Sequence, residues 1–306
     1  GISGGIDSAV NAALYRSVLP AENLLLVNTP TRFNSEATKN LARRLAENLE
    51  APFVELPIDS FINETVSQID DLQIPSPSDM KTLHLTGFMK ENIQARDRST
   101  RILATLSSAF GGIFTCNANK TELTVGYGTL YGDLSGALAA TADLWKHQIY
   151  ALGRTLNRYF DKNMIPDEIF TVRPSAELSE NQDITKGLGD PLIYEYHDFL
   201  FRSFIEPWNR ITPEEILTWY SENCLEEKLG TPVSIKSIFK THHDFITDLE
   251  KWWNLFAGFA VAKRIQAPPL LAVSRRPYGY DLRESQIAPY YTDTYIHLKN
   301  SLLSNG

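Results

Sequence analysis

Cysteine is scarce in this sequence: Cys116 and Cys224 are the only two among 306 residues. Two cysteines are too few for a disulfide framework, and neither has neighbours at metal-ligand spacing, so we expect a reducing, cytoplasmic compartment. Long apolar runs are missing as well. None approaches the ~20 residues of a membrane-spanning helix, and no segment has the pattern of a signal peptide. The sequence therefore predicts a cytoplasmic protein without a membrane partner.

The sequence also has no excess of positive charge. Lys and Arg number 29 against 37 Asp and Glu, which gives a net charge of −8. Because a nucleic-acid backbone is bound by a basic face, this balance argues against a nucleic-acid partner, while a local basic pocket stays compatible with it. Hydrophobic residues make up 43% of the chain, which suffices for a sizeable core in one large domain or two.

Short apolar runs alternate with helical patterns in the first half of the sequence. The predicted strands are residues 24–27, 52–58 and 113–116, and the predicted helices are residues 35–49 and 88–108. The first of these helices carries Leu41, Leu45 and Leu49 on one face, and the second ends at Gly111 and Gly112. This alternation predicts an α/β fold, a doubly wound parallel sheet with helices on both faces.

The pattern changes after about Asn157. Turn-forming stretches are followed by aromatic-rich helical patterns over residues 194–223 and 234–263, and then by a Pro- and Gly-rich tail, residues 266–291, which we interpret as ordered coil. We therefore predict a core of residues 1–172 and a mainly helical C-terminal lobe and tail of residues 173–306 that completes the substrate site.

Small residues dominate the opening run SGGIDS, residues 3–8. An apolar stripe at helical spacing follows, so the run lies at a helix N-terminus, where unpaired N–H groups and the dipole favour an anion; the stripe is Val10, Ala13, Leu14 and Val18. The two glycines allow close approach of a bound group. A plain glycine turn with a Ser or Asp cap is the alternative, and the complete string favours anion binding. The Gly-Lys-Ser ending of a Walker loop is absent.

The run SGGIDS resembles the PP-loop of the ATP pyrophosphatases, which bind the pyrophosphate of ATP while they adenylate a substrate. Alone, it leaves GMP, asparagine, argininosuccinate and NAD synthetases and tRNA-modifying thiolases open. Later segments resemble, in the same order, the synthetase part of the glutamine-dependent NAD synthetases: PTRFNSEAT (30–38), ENIQARDR (91–98), NKTELTVGYGTLYGD (119–133), RPSAEL (173–178) and AKRIQAPP (262–269). The resemblance covers nearly the whole chain and implies an adenine nucleotide alpha hydrolase-like fold.

This resemblance implies the amidation of deamido-NAD (nicotinic acid adenine dinucleotide). The substrate carboxylate attacks the α-phosphate of ATP, pyrophosphate leaves, and ammonia displaces AMP from the acyl-adenylate to give NAD. ATP is the co-substrate, and Mg2+ is expected because dense negative charge must be neutralised. The runner-up is another PP-loop amidotransferase or thiolase that acts on a nucleotide or tRNA. A nucleotide-binding regulatory module that has lost turnover is the rival from a different class.

The resemblance also implies the residues of the site, without assigning a catalytic residue. Those implied for ATP are Ser3, Gly4, Gly5, Asp7, Ser8, Asn117, Lys146 and Ser175. Those implied for deamido-NAD are Asn92, Arg96, Glu122 and Lys263, and those implied as metal ligands are Asp7 and Glu122. Arg98 lies in the same segment as Asn92, and a surface salt bridge is nearly as well supported for it.

Ordinary structural roles compete with these assignments. Asp7 and Glu122 fall in the first turns of predicted helices, where a carboxylate acts as a cap. Ser175 has the same alternative, and a single Lys on an amphipathic helix, such as Lys146, is usually solvated. The resemblance decides each case in favour of the ligand.

Two positions depart from the family pattern. Asn117 stands where the family usually has a Thr that contacts ATP, and an amide still offers a donor and an acceptor. Leu130 stands where the shorter, ammonia-dependent enzymes carry Lys, so TLYGD follows the long, glutamine-dependent pattern.

Only Gly1 and Ile2 precede the opening loop, whereas in a doubly wound fold a central strand leads into it. We therefore expect a first strand that is largely absent from this sequence, and the resemblance implies an upstream glutaminase domain and a homo-oligomer. Glutamine requires an activated nucleophile beside a base. Cys116 ends a core strand and Cys224 lies among acidic residues, so neither is a credible amidase nucleophile.

Overall fold

The computed structural model describes residues 1–77, 79–179, 189–278 and 289–304. It divides into two compact units. Unit 1 comprises Gly1–Ala118, Thr129–Ala140 and Gln148–Pro191, and unit 2 comprises Asn119–Gly128, Thr141–His147 and Leu192–Gly306. This division differs from the predicted single boundary at residue 172, because two segments from the middle of the sequence pack among the C-terminal helices. Packing between segments distant in sequence is not visible in local composition.

The elements up to residue 170 contain all four strands of the described residues. In chain order they are α1 (Ile6–Arg16), a 3-10 turn (Ala21–Asn23), β1 (Leu26–Asn28), α2 (Glu36–Leu49), β2 (Phe53–Glu55), α3 (Asp59–Ile69), β3 (Gln73–Pro75), β4 (Met80–Thr82), α4 (Gly87–Arg96), a π-helical segment (Asp97–Leu103), α5 (Ala104–Phe110), α6 (Lys120–Val125), α7 (Lys146–Tyr159) and a 3-10 turn (Asp167–Phe170). Of these, α6 and the first two residues of α7 belong to unit 2.

The remaining elements are helical and belong to unit 2. They are α8 (Tyr194–Ile205), α9 (Pro213–Ser221), α10 (Leu225–Leu229), α11 (Ile235–Ile238), α12 (His242–Ala257), α13 (Ala260–Gln266) and α14 (Asp293–Ser304). The predicted helical patterns over 194–223 and 234–263 are therefore each divided into shorter helices. Pro213 begins α9 behind a Thr212 capping box, and Gly258 ends α12.

The sheet of unit 1 is a parallel pair. β1 pairs with β2 in the register Leu26 to Phe53 and Val27 to Val54. The amide of Ile2 donates to the carbonyl of Val27 at 2.8 Å, so the chain enters the opening loop alongside β1. Both strands are three residues long, shorter than their apolar runs. The predicted α/β class with a parallel sheet is confirmed.

Helix α2 forms where its sequence predicts it. Ser35 caps the N-terminus by accepting the Thr38 N–H at 3.2 Å. The leucines four residues apart, Leu41, Leu45 and Leu49, are all buried. The helix ends at Glu50, which adopts the left-handed conformation at φ 56°.

The long helical pattern over 88–108 is confirmed with one irregularity. α4 and α5 are joined by seven residues of π-helix, a local widening that no periodicity in the sequence indicates. Gly111 ends α5 at φ 79°, a conformation that glycine adopts without strain.

Residues 113–116 are not a strand, so that prediction is wrong. Two backbone hydrogen bonds tie the segment to residues 137–138: Cys116 N–H donates to Leu138 and Ala137 N–H donates to Phe114. An isolated pair of bonds does not make a ladder. Between this segment and β1 lies a cavity of about 290 Å3 lined mainly by apolar side chains such as Leu106 and Leu138, which is unsuited to a phosphate.

Strands β3 and β4 form an exposed antiparallel pair that the sequence analysis did not predict. Their alternation is short, and Pro75 ends the first strand. A strand pair of this size buries little apolar surface. In the sequence, this pair lies apart from the predicted site residues.

Aromatic side chains form the core of unit 2. Phe201 contacts Trp252 with ring centroids 5.6 Å apart, and Phe204 contacts Trp253 edge-on at 5.3 Å. Leu249 is fully buried among the same helices. The aromatic composition of this region therefore holds α8 against α12.

The tail was predicted as coil over 266–291. Residues 267–278 are largely without regular structure, residues 279–288 lie outside the described part of the chain, and α14 follows. Within the described residues, no helix combines the length and apolar character needed to cross a bilayer.

Candidate active site

The opening loop precedes α1 as predicted. Gly5 is the N-cap of the helix, and Asp7 lies in its first turn. The loop is closed by its own serines: the Ser8 hydroxyl accepts the Ser3 N–H at 3.2 Å and donates to the Gly5 carbonyl at 3.0 Å. The Ser3 hydroxyl in turn accepts the Gly5 N–H at 3.3 Å. The two hydroxyls therefore shape the loop.

Gly4 brings the loop against the start of α2. Its φ is 86°, and a Cβ atom at this position would collide with the carbonyl of Thr38. Only glycine satisfies both the positive φ and the close approach. Close packing against Thr38 therefore requires this glycine, in addition to the approach of a bound group for which it was predicted.

A buried carboxylate lies on the far side of Thr38. Glu177 is 4% exposed and accepts the Thr38 hydroxyl at 2.8 Å, the Ser35 N–H at 3.2 Å and the Asn34 amide at 3.4 Å. Its φ of 45° is unusual for a residue other than glycine. The two segments RFNSEAT and RPSAEL, which the resemblance named separately, thus meet at Glu177. Sequence analysis did not single out this residue.

Arg98 extends the same polar cluster. Its Nε donates to the Thr29 carbonyl at 3.1 Å, and its guanidinium lies 3.5 Å from the Asn34 side-chain oxygen. Burial lowers the pKa of the Arg98 guanidinium to about 10, so it stays charged at neutral pH. The alternative of a surface salt bridge is not observed among the described residues, where Arg98 donates to backbone and amide oxygens.

Two other residues predicted for ATP have local partners. The Ser175 hydroxyl accepts the Glu177 N–H at 3.2 Å in a turn, and no helix begins there, so the alternative of a helix cap is wrong. The Asn117 amide donates to the Gly1 carbonyl at 2.8 Å. Asn117 therefore uses its donor at the entrance to the opening loop.

Asn92 and Arg96 share one face of α4, as their spacing predicted, and both bind the segment that follows Gly128. The Thr129 hydroxyl donates to the Asn92 side-chain oxygen at 2.7 Å, and Arg96 Nε donates to the Leu130 carbonyl at 3.2 Å. The structure therefore gives these two residues a role in holding the GTLYGD segment.

In unit 2, Glu122 and Lys146 come together. Glu122 forms a capping box with Asn119, so the capping alternative is observed. Its Oε1 lies 3.8 Å from Lys146 Nζ. The Lys146 side chain is only 2% exposed, and its ammonium lies 4.6 Å from the Tyr194 ring centroid. Lys146 is therefore not the solvated lysine of the ordinary alternative.

Lys263 binds the glycine segment of the same unit. Its ammonium donates to the carbonyls of Gly126 at 2.7 Å and Gly128 at 2.6 Å. Gly126 has φ 64°, and a Cβ there would lie 2.9 Å from Ala260 Cα. The motifs NKTELTVGYG and AKRIQAPP thus meet through one charged side chain and one close backbone contact.

A buried ion pair in unit 2 was missed by the sequence analysis. Lys120 Nζ lies 2.9 Å from Asp143, and both side chains are 0% exposed. Asp143 also accepts the N–H groups of Val273 and Ser274. Burial raises the pKa of Asp143, but the hydrogen bonds from Lys120 and Ser274 outweigh it, and the net pKa lies below the ordinary value. An aspartate within the apolar run GALAATADLW was the available signal.

The predicted site residues therefore form groups within each unit. Unit 1 contains the opening loop with Asp7, the cluster around Glu177, and the α4 pair that holds residues 129–130. Unit 2 contains the Glu122–Lys146 pair and Lys263. A glycine loop at the N-terminus of a helix, next to a parallel sheet, is the arrangement in which nucleotide-binding α/β proteins hold phosphate groups.

Comparison with known proteins names the family. Residues 1–234 match the model of the family described as NAD synthase. The chain belongs to this family. It is 33% identical over 230 residues to an NH(3)-dependent NAD(+) synthetase of Helicobacter hepaticus, covering 75% of this chain and 78% of that protein.

Longer relatives match as well. A glutamine-dependent NAD(+) synthetase of Thermotoga maritima is 33% identical over 216 residues, which are 71% of this chain and 35% of that protein. The solved glutamine-dependent NAD(+) synthetase of Cytophaga hutchinsonii aligns with a TM-score of 0.66 at 19% identity over 98% of this chain and 51% of that one, which shows the fold. The chain thus spans about a third to a half of the length of these longer relatives.

Proposed function

We propose that this chain catalyses the ATP-dependent amidation of deamido-NAD to NAD through an acyl-adenylate, with release of AMP and pyrophosphate. The observation that carries the proposal is the glycine loop at the start of α1 in a chain that belongs to the NAD synthase family. Both glutamine-dependent and NH(3)-dependent synthetases are among its relatives.

The opening loop and Lys146 are the proposed binding groups for the phosphates of ATP. The start of an 11-residue helix presents N–H groups and a positive dipole end to an anion. Lys146 adds a compact positive charge that is already desolvated, so its attraction to a phosphate is weakly screened. Ser3, Ser8, Asn117 and Ser175 are likewise proposed as ATP-binding residues.

Asp7 and Glu122 are proposed as ligands of Mg2+. Their carboxylate oxygens are the donors that Mg2+ takes together with water. Glu122 fits this role while it caps α6, because Oε2 accepts the Asn119 N–H at 3.3 Å and a carboxylate oxygen has a second lone pair. When bound, Mg2+ would neutralise part of the charge of the departing pyrophosphate.

Asn92, Arg96, Glu122 and Lys263 are proposed for the dinucleotide. The structure supports an indirect contribution of three of them, because Arg96 and Asn92 hold residues 129–130 and Lys263 holds the carbonyls of Gly126 and Gly128. A ligand that lies along this glycine segment would depend on its fixed backbone.

Ammonia is the proposed nitrogen source of this chain on its own. Cys116 is buried, with Sγ 3.2 Å from the Asp133 carbonyl, and Cys224 lies 3.9 Å from Glu222. The carbonyl beside Cys116 is not a base, and a thiolate at Cys224 would lie beside the anionic Glu222 carboxylate, so we propose neither thiol as an amidase nucleophile. We propose that a glutaminase domain of the same protein supplies ammonia, and that the protein is a cytoplasmic homo-oligomer.

The test is turnover of the purified 306-residue chain. Deamido-NAD, ATP, Mg2+ and ammonium should give NAD and pyrophosphate, whereas xanthosine monophosphate, aspartate or tRNA in place of deamido-NAD should not. Glutamine should fail as the nitrogen source once free ammonia is scavenged. Pyrophosphate release with another acceptor would transfer the chain to the rival amidotransferase class, and synthesis from glutamine would contradict the assigned nitrogen source.

A further inference from the structure

Helix α7 begins with two N–H groups that are capped from elsewhere in unit 2. The first N–H groups of a helix have no partner within it. Here the Lys146 N–H donates to the Thr121 hydroxyl at 3.2 Å, and the His147 N–H donates to Asp198 Oδ2 at 2.8 Å. The caps therefore come from α6 and α8.

Asp198 is the centre of this arrangement. Its side chain is 0% exposed. Oδ1 accepts the Thr121 hydroxyl at 2.5 Å, and Oδ2 accepts from both the backbone N–H and the ring Nδ1 of His147, each at 2.8 Å. Hydrogen bonds to a buried carboxylate are among the stronger ones in proteins, so the four groups are held as one network.

Two residues of the network are sequence neighbours of two proposed site residues of unit 2, Glu122 and Lys146. Thr121 precedes Glu122, and His147 follows Lys146. Thr121 both donates to Asp198 and accepts from Lys146, so its hydroxyl orientation is fixed from two sides. Asp198 therefore ties the first turn of α6 to the first turn of α7.

The distance between Glu122 and Lys146 depends on how Asp198 connects α6 to α7. The charged atoms of the pair lie 3.8 Å apart, longer than a direct hydrogen bond. A separation of this kind is set by the backbones that carry the two side chains. The ring of His147 is also fixed, since it stacks on Phe199 with centroids 5.4 Å apart.

We propose that Asp198 is a positioning residue, which acts through Thr121 and His147 to set the geometry of Lys146 and Glu122. The inference rests on the proposed function for the roles of those two groups. A merely structural Asp198 would stabilise unit 2 without any specific effect on Lys146.

A double-mutant cycle on the full chain separates the two roles. Asp198→Asn should lower kcat/KM for ATP about tenfold to a hundredfold, the range that misplacement of a reacting group by about 1 Å produces. In a Lys146→Met background the same change should cost no more than about threefold, because the Glu122–Lys146 pair that Asp198 positions is already broken. Thr121→Val should behave like Asp198→Asn, and Thr121→Ser should retain activity within about threefold of the wild type.

Asp248→Asn is the matched control. Asp248 also binds a histidine and a tryptophan in unit 2, His197 at 3.0 Å and Trp252 at 2.9 Å. It contacts neither α6 nor α7 in these hydrogen bonds. Its replacement should lower thermal stability. It should change kcat/KM for ATP by the same factor in the wild-type and Lys146→Met backgrounds. An equal loss for Asp198→Asn in both backgrounds, or normal kinetics for Thr121→Val, overturns the inference.

Amide hydrogen exchange gives a readout without turnover. Asp198→Asn and Thr121→Val should each accelerate exchange of the Lys146 and His147 amides, and Asp248→Asn should not. If the wild type fails to turn over deamido-NAD, the proposed function fails while the exchange rates still decide the inference. Unchanged protection of both amides in Asp198→Asn would overturn it, including in a case where the Lys146→Met variant does not fold.

Discussion

The carboxylate of Glu177 accepts the hydroxyl of Thr38 at 2.8 Å across 139 residues of sequence. On its other side, Thr38 presents its carbonyl to Gly4, where no side chain fits. Thr38, at the start of α2, therefore contacts both the opening loop and the RPSAEL segment. We therefore expect a substitution at Thr38 to affect the opening loop.

Thr38→Val tests whether these contacts of Thr38 support the opening loop. The variant keeps the side-chain shape but leaves the buried Glu177 carboxylate without one donor, which should lower the free energy of unfolding by about 1–3 kcal/mol. We also expect pyrophosphate release to fall, because Gly4 of the opening loop packs against the Thr38 carbonyl. Chemical denaturation and a pyrophosphate assay measure the two effects.

The matched control is Thr65→Val, at a half-buried threonine whose hydroxyl donates to the Phe61 carbonyl within α3 at 2.9 Å. This variant should change neither quantity appreciably. If Thr38→Val is as neutral as Thr65→Val, the Glu177 cluster does not support the loop.

Asp7→Asn tests the proposed metal ligand. Loss of one carboxylate at a pyrophosphate site should cost roughly 3 kcal/mol, or about a hundredfold in the rate of adenylation, because electrostatic stabilisation is lost. Far-UV circular dichroism should stay unchanged. Glu36→Gln serves as control, since Glu36 is also an acid in the first turn of a helix in unit 1. Near-normal turnover of Asp7→Asn at saturating Mg2+ would remove Asp7 from the site.

Lys263→Met tests the glycine segment. Two carbonyls would lose a charged donor, so the free energy of unfolding should fall by about 2 kcal/mol. If the segment supports the dinucleotide, KM for deamido-NAD should rise about tenfold, equivalent to about 1.4 kcal/mol, with KM for ATP unchanged. Lys251→Met, at an exposed lysine over Trp252, is the control. Equal increases for both substrates would show that Lys263 only stabilises packing.

Elements whose determinants are local in sequence could be predicted. α2 has its cap at Ser35 and its leucines at a period of four, so both its start and its buried face could be predicted. The position of Asp7 in the first turn of α1 follows from the same kind of local pattern.

Partners distant in sequence could not be predicted this way. Lys146 reads as a surface lysine on its own helix, and its burial depends on contacts from α6 and α8. Glu177 has no local feature that reveals three donors from residues 34–38. The strand expected at 113–116 failed for a related reason, because a strand requires a neighbour with which to pair, and composition describes only the segment itself.

The Lys120–Asp143 pair gives a pH dependence with a defined sign. The net pKa of Asp143 is below its ordinary value, so the folded state favours the charged form. The resulting stability is fully present above the ordinary pKa of about 4 and is lost as pH falls through the lower, folded-state pKa. Asp143→Asn leaves the buried Lys120 with Glu206, at 3.2 Å, as its remaining carboxylate partner, so we expect a loss of about 1–3 kcal/mol at pH 7. Below pH 4 the unfolded chain binds a proton at Asp143 before the folded protein does, so the stability of the wild type falls and the difference between the two proteins should shrink. Urea denaturation from pH 7 to pH 3 measures it, with the exposed Asp161→Asn as control. A difference that stays constant across this range would mean that the charge of Asp143 does not set the stability.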